Sequence, residues 1–115
     1  MQSNLRLKKS GEFKRVYHFG KSAANRELVL YVMDRPQTEV FRIGISVSKK
    51  IGNAVVRNRI RRLIKEAVRF IQTKQEIKKH KDMVIIARTP AAEMDFQRFV
   101  KSIHHLFRKM DLFEN

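Results

Sequence analysis

The sequence predicts a single α+β domain, a sandwich in which one sheet packs against amphipathic helices. Three observations predict it. Apolar residues recur at three- and four-residue spacing in two long stretches, Val56 to Ile71 and Met94 to Met110, as they do along one face of a helix. Runs of β-favouring residues lie apart from these stretches, at Leu28 to Met33, Phe41 to Val47 and Met83 to Arg88. At 115 residues, the chain is long enough for one modest core and too short for two.

Residues 1–9 are polar and basic around Leu5 and Leu7, and read as a mobile basic tail on a 1–115 single domain. Ser10 offers a side-chain oxygen as the N-cap of a first helix, on which Phe13, Val16 and Tyr17 share a face. Gly20 is expected to stop that helix in a left-handed conformation. In the first strand, Leu28, Leu30 and Val32 point one way and Val29, Tyr31 and Met33 the other, so both faces are occupied. Arg35 to Glu39 forms a turn, after which Phe41, Ile43, Ile45 and Val47 alternate with Arg42, Gly44, Ser46 and Ser48. Lys49 to Ala54 is a glycine-containing connection into the first long helix, and Lys74 to Lys81 is its charged end or a loop. Thr89-Pro90 ends the last strand, because proline offers no backbone donor. A terminal helix of about four to five turns is expected from Ala91. Both long helices carry stripes that need a sheet, which gives a sheet covered on one face by helices. A fourth strand is expected in Lys21 to Arg26 or in a split of the long second run.

Charge narrows the partner. With 26 Lys and Arg against 11 Asp and Glu, the formal charge is +15, strong self-repulsion unless an anion neutralises it. Nucleic acid is the expected partner. A membrane surface is a weaker rival, because no run approaches the ~18 apolar residues of a spanning helix and no apolar signal core follows Met1. The expected compartment is the cytoplasm, and the absence of cysteine, which excludes disulfides and thiolate metal sites, fits it.

The basic residues are concentrated. Between Glu39 and Glu66 there is no acidic residue, while Arg42, Lys49, Lys50, Arg57, Arg59, Arg61, Arg62 and Lys65 are all cationic. On the first long helix, Val56, Ile60, Leu63, Ile64, Ala67, Val68 and Ile71 form the apolar stripe. At ~100° per residue, Asn58, Arg61, Arg62, Lys65 and Arg69 fall on the opposite face, with Arg57 and Arg59 at its edges. A solvated helix face normally intersperses Glu with Lys, and only Glu66 does so here. Arginine forks match phosphate oxygens, which makes this face a candidate nucleic-acid contact. Asn53 and Gly52 also read as the cap and turn that start the helix.

Catalytic constellations are absent from the sequence. It has no phosphate loop, no cysteine nucleophile and no His or acidic cluster at metal-ligand spacing. His104 and His105 project about 100° apart on a helix, and Asp82, Glu93 and Asp95 read as cap or solvent residues. Phe13, Tyr17 and Tyr31 stand near Lys14 and Arg15, either as core residues, which the residues alone favour, or as a platform on which single-stranded bases stack.

The stretch GNAVVRNRIRRLIKEA, preceded by SVSKK, resembles the arginine-rich signature of the protein subunit of bacterial ribonuclease P. Leu7-Lys8-Lys9 to Phe13 and Ile85-Ile86-Ala87-Arg88 resemble other recurrent stretches of that family, so the resemblance covers almost the whole chain. It implies an αβββαβα order, with the basic helix crossing between parallel strands. It also implies a ribonucleoprotein that removes the 5′ leader from precursor tRNA, in which the RNA subunit is the catalyst and holds most of the Mg2+, with no protein-bound metal. Lys49, Lys50, Asn53, Arg57, Asn58, Arg59, Arg61, Arg62, Lys65 and Arg69 would then face the catalytic RNA. Phe13, Tyr17, Val29 and Tyr31 would line a cleft for the single-stranded leader. No obligatory protein partner is implied. The alternatives with the same size and charge are a small ribosomal or RNA-chaperone protein and a DNA-binding regulator.

Overall fold

A computed structural model of the chain describes residues 6–115. Its elements run α1 (Ser10–Phe19), β1 (Lys21–Ala24), β2 (Leu28–Asp34), β3 (Phe41–Ser46), α2 (Ala54–Lys74), β4 (Lys81–Ala87), a short 3-10 turn (Thr89–Glu93) and α3 (Phe96–Lys109). The αβββαβα order holds, and the fourth strand is found in the Lys21 to Arg26 segment. The sheet order is β1-β2-β4-β3. β4 pairs antiparallel with β2 and parallel with β3. Parallel neighbours need a crossover, and α2 supplies it.

The two faces of the sheet are covered differently. On one, Leu28, Leu30, Val32, Ile43, Met83, Ile85 and Ala87 meet the α2 stripe of Ile60, Ile64, Ala67, Val68 and Ile71. Phe99, Ile103, Leu106 and Phe107 of α3 complete this main core. On the other face, α1 lays Val16 and Phe13 against Val84, Tyr31, Met33 and Ile86, with Leu7. Helices therefore sit on both faces rather than on one. The second apolar face of β2 explains this, since Val29, Tyr31 and Met33 also need cover and a ten-residue helix supplies only part of it.

Several ends differ from expectation for local reasons. Lys9, not Ser10, occupies the N-cap of α1. The Glu12 carboxylate caps the helix instead, accepting the backbone N–H groups of Lys8 and Lys9 at 3.1 Å each. Gly20 is extended (φ −86°, ψ 168°), not left-handed. Glycine is needed there because a Cβ would lie 2.5 Å from the Val16 carbonyl oxygen and 2.8 Å from that of Val32. The terminal helix starts at Phe96, where Asp95 accepts the Arg98 N–H at 2.9 Å, and the 3-10 turn takes up Pro90. Of the segment read as a mobile tail, residues 1–5 lie outside the described residues. Arg6 and Leu7 are fixed: Arg6 bridges Ile43 in parallel, the Leu7 N–H donates to the Ile43 carbonyl at 3.1 Å, and Leu7 is only 6% exposed.

Candidate RNA interface

The basic helix begins as its sequence dictates. Asn53 Oδ1 accepts the Val56 N–H at 3.0 Å, satisfying one of the free donors of the first turn. Gly52 leaves room for Val56, whose Cγ1 would stand 2.8 Å from any Cβ. The preceding turn is closed by the Ser48 side chain, which accepts the Lys50 N–H at 3.0 Å and leaves Lys49 and Lys50 exposed.

Along α2 the predicted cations divide into two kinds. Arg61, Arg62, Lys65 and Arg69 present their charge outward with little to neutralise it. Arg61 Nη1 donates to Asn58 at 3.1 Å, a neutral partner that orients the guanidinium without cancelling it. Arg62 lies 3.9 Å from Glu66, but at 66% exposure such a pair contributes little. Arg59 is different: its Nη2 donates to the Met94 carbonyl at 3.0 Å, tying α2 to the turn before α3. The guanidinium therefore has a structural partner that the charge run did not indicate. Half-buried Arg57 stays close to its own helix start, its Nε 3.5 Å from the Asn53 carbonyl.

One cation of this surface is missing from the predicted set. The Lys65 ammonium is held below its usual pKa first by burial and then by the charges of Arg6 and Arg61. Arg6 is brought there by the bridge beside β3, an arrangement signalled in sequence only by the apolar Leu7 next to it. Arg6 and Arg61 thus stand near enough to Lys65 for their like charges to be felt there, a repulsion that an anion would relieve.

The second predicted set lies on the opposite face of the sheet. Tyr17 of α1 and Tyr31 of β2 meet edge to face, with centroids 5.1 Å apart at 73°. Tyr17 remains 37% exposed and Tyr31 half-buried, so both rings offer surface to solvent. Burial pushes the Tyr17 phenol above its usual pKa, keeping it neutral. Phe13 is more enclosed. It sits over Gly44, where a Cβ would come within 2.5 Å of its ring, and it forms a wall rather than a platform. Val29 lies two residues before Tyr31, on the same strand face. The register adds two residues absent from the predicted set, because Val29 pairs with Ile86 and Ile86 with Ser46, all half-buried. Ile86 belongs to one of the recurrent stretches, whereas Ser46 had no signal of its own.

The aromatic set and the basic face are joined around the edge strand β3. Ser46 ends that strand beside the aromatic set, and the chain runs from it into Lys49, Lys50 and Asn53 at the start of α2. A family model described as ribonuclease P matches residues 1–111. The chain belongs to the ribonuclease P protein family. It is 52% identical over 114 residues to the ribonuclease P protein component of Bacillus velezensis, covering 99% of this chain and 96% of that one. The Geobacillus kaustophilus ribonuclease P protein component is 50% identical over 109 residues, covering 95% and 88%. Among solved structures, an RNase P protein of Staphylococcus aureus superimposes with TM-score 0.85 at 42% identity, covering 96% of this chain and 98% of that one. The RNase P protein of Thermotoga maritima gives 0.79 at 28% identity, covering 90% and 96%. Membership over nearly the full length decides against the ribosomal, chaperone and regulator alternatives. No helix among the described residues is long and apolar enough to cross a membrane.

The acidic residues that sequence left as cap or solvent groups also separate. Asp95 caps α3, but Asp82 is 1% exposed inside β4, gripped by Arg42 and Arg35. Among the described residues there is no group of three or more His, Asp or Glu able to hold a metal ion.

Proposed function

We propose that this chain acts as the protein component of a ribonuclease P ribonucleoprotein, the endoribonuclease that removes the 5′ leader from precursor tRNA. It binds the RNA subunit through α2 and the single-stranded leader through the cleft between α1 and the sheet. The observation that carries this reading is the pairing of two unlike surfaces joined around β3: an almost anion-free basic helix face, and an aromatic-edged groove. A phosphate backbone satisfies the first, because each neutralised phosphate releases counterions. Unpaired bases satisfy the second, stacking on Tyr17 and Tyr31 for about 1–3 kcal/mol each.

In this reading the RNA subunit carries catalysis and its phosphates hold the magnesium, which supplies the activated water when bound. The protein's carboxylates support that division of labour, since most already have protein partners: Asp82 with Arg42, Glu27 with Arg98, Asp34 with Lys81 and Asp111 with Lys78. The protein's own part is to hold two polyanions together. Arg6, Arg61, Arg62 and Lys65 lower the repulsion between the RNA subunit and the substrate, and the cleft extends substrate contact into the leader. The expected cellular setting is the cytoplasm, with no further protein required.

Leader length provides the test. Tyr17→Ala should weaken binding of a precursor with a long leader about tenfold, one lost stacking contact, Phe13→Ala should weaken it by removing the wall beside that platform, and both should leave a single-nucleotide leader unaffected. Equal losses on both substrates would return these aromatics to a purely structural role.

A further inference from the structure

Arg42 falls inside the acid-free stretch, where charge alone would assign it to RNA. The structure gives it other partners. Its Nε and Nη2 donate to the two oxygens of Asp82 at 2.9 and 2.7 Å, and its Nη1 donates to Glu12 Oε2 at 2.8 Å. Asp82 is buried in the central strand β4 and takes a further bond from Arg35 Nη1 at 3.2 Å. The other oxygen of Glu12 accepts the Lys8 and Lys9 N–H groups that open α1. A continuous chain of ionic hydrogen bonds therefore runs from the centre of the sheet to the first turn of the helix.

That helix needs such an anchor. It has ten residues, of which only Val16 is buried, too short to be stable or fixed in direction alone. Its far end is set by Gly20 pressed against the backbone of Val32. Its near end is set by Glu12 and Arg42, and Phe13 and Tyr17 lie between the two. We propose that Arg42, held by Asp82, is a positioning residue that fixes the height of α1 over the sheet, and so the width of the leader cleft, without touching RNA. This rests on the leader-cleft reading above. Buried ion pairs are poor sources of net stability but good fixers of geometry. A three-way grip needs the guanidinium fork, which lysine lacks.

The test uses the full-length protein reconstituted with its RNA subunit and compares Glu12→Gln, Arg42→Lys and Phe13→Ala. Glutamine keeps a neutral oxygen for the helix cap but loses the ionic link, which separates capping from bridging. Glu12→Gln also leaves the Asp82–Arg42 pair in place, so it stays informative if Arg42→Lys folds poorly. If α1 is correctly placed in only about a tenth of molecules, long-leader affinity falls about tenfold. That loss is expected for Glu12→Gln and Arg42→Lys, with single-nucleotide-leader affinity, RNA-subunit affinity and its salt dependence all unchanged. Amide exchange at Val16 and Tyr17 should accelerate while β4 stays protected. Wild-type leader affinity in both variants, alongside a leader-selective loss in Phe13→Ala, would overturn the proposal and leave the cleft standing. A flatter salt dependence in a charge-removing Arg42→Gln variant would also overturn it, by making Arg42 a phosphate contact. No leader-selective loss in Phe13→Ala would remove the cleft reading and this proposal with it.

Discussion

Replacing Gly44 with alanine adds one methyl group at the point where Phe13 rests on the sheet. Its Cβ would lie 2.5 Å from Phe13 Cζ, 2.6 Å from Cε2 and 3.2 Å from Leu7 Cβ. Ordinary carbon contacts lie near ~3.5–4.0 Å, so the ring must retreat by about 1 Å. The strand yields less readily, because Gly44 sits mid-strand in β3 and is held by its pairing with Val84 of the interior strand β4. The short helix α1 can give way. Overpacking of this kind costs about 1–3 kcal/mol, with a melting temperature lowered by roughly 4 °C per kcal/mol in a domain of this size. Lifting α1 also moves Tyr17 away from Tyr31, so Gly44→Ala should lose long-leader affinity and keep RNA-subunit affinity. Differential scanning calorimetry and equilibrium binding would measure both. Adding Phe13→Leu to the same chain should recover much of the melting temperature, because the smaller side chain relieves the contact, without restoring leader affinity. An unchanged melting temperature and unchanged leader affinity in Gly44→Ala would refute the reasoning.

Two further outcomes are expected. Purified protein free of RNA should not cleave precursor tRNA at any magnesium concentration; robust cleavage lost on mutating a carboxylate such as Asp82 would contradict catalysis by RNA. Glu12 is held well below its ordinary value near 4.5, at about 2, by the Lys9 and Lys8 N–H groups and by Arg42. A carboxyl group with a lowered folded pKa adds stability above its unfolded value that is lost as pH falls through the folded one. Glu12→Gln should therefore lower stability at neutral pH and flatten the acid limb of a denaturation-midpoint profile; an unaltered acid limb would show that the Lys8 and Lys9 N–H groups and Arg42 do not hold the carboxylate as described.

How much of this was legible in the sequence depended on how local the cause was. The stripes of α2 and α3, and the Asn53 cap, follow from spacing within one helix, and they appear where expected except that α3 starts at Phe96 and leaves Met94 outside it. The roles of Arg42 and Arg59 do not, because their partners Asp82, Glu12 and Met94 stand 40, 30 and 35 residues away. A charge run cannot reveal which of its cations is already paired. Gly20 and Gly44 behave similarly: each is glycine because another segment approaches closely, a fact of packing rather than of turn chemistry. The placement of α1 was ambiguous for a related reason, since both faces of β2 are apolar and neither names its cover. β1 has no alternating pattern, and it exists by pairing with β2 through a turn in which Asn25 Oδ1 accepts the Glu27 and Leu28 N–H groups. The proposal of an aromatic leader cleft came only through the family resemblance, as the residues alone favoured a core.

The central claim is that the chain carries two separable RNA surfaces, and RNA-subunit affinity as a function of salt tests it most directly. Each phosphate contact on duplex contributes about 0.9 to the log–log slope, or about 0.7 on single strands. The double variant Arg61→Ala, Arg62→Ala should therefore flatten the slope by about 1.4–1.8, while Tyr17→Ala leaves it unchanged. An unaltered slope in the arginine variant with its fold intact, or a flattened one in Tyr17→Ala, would contradict the division of the protein into a phosphate-binding helix and a base-stacking cleft.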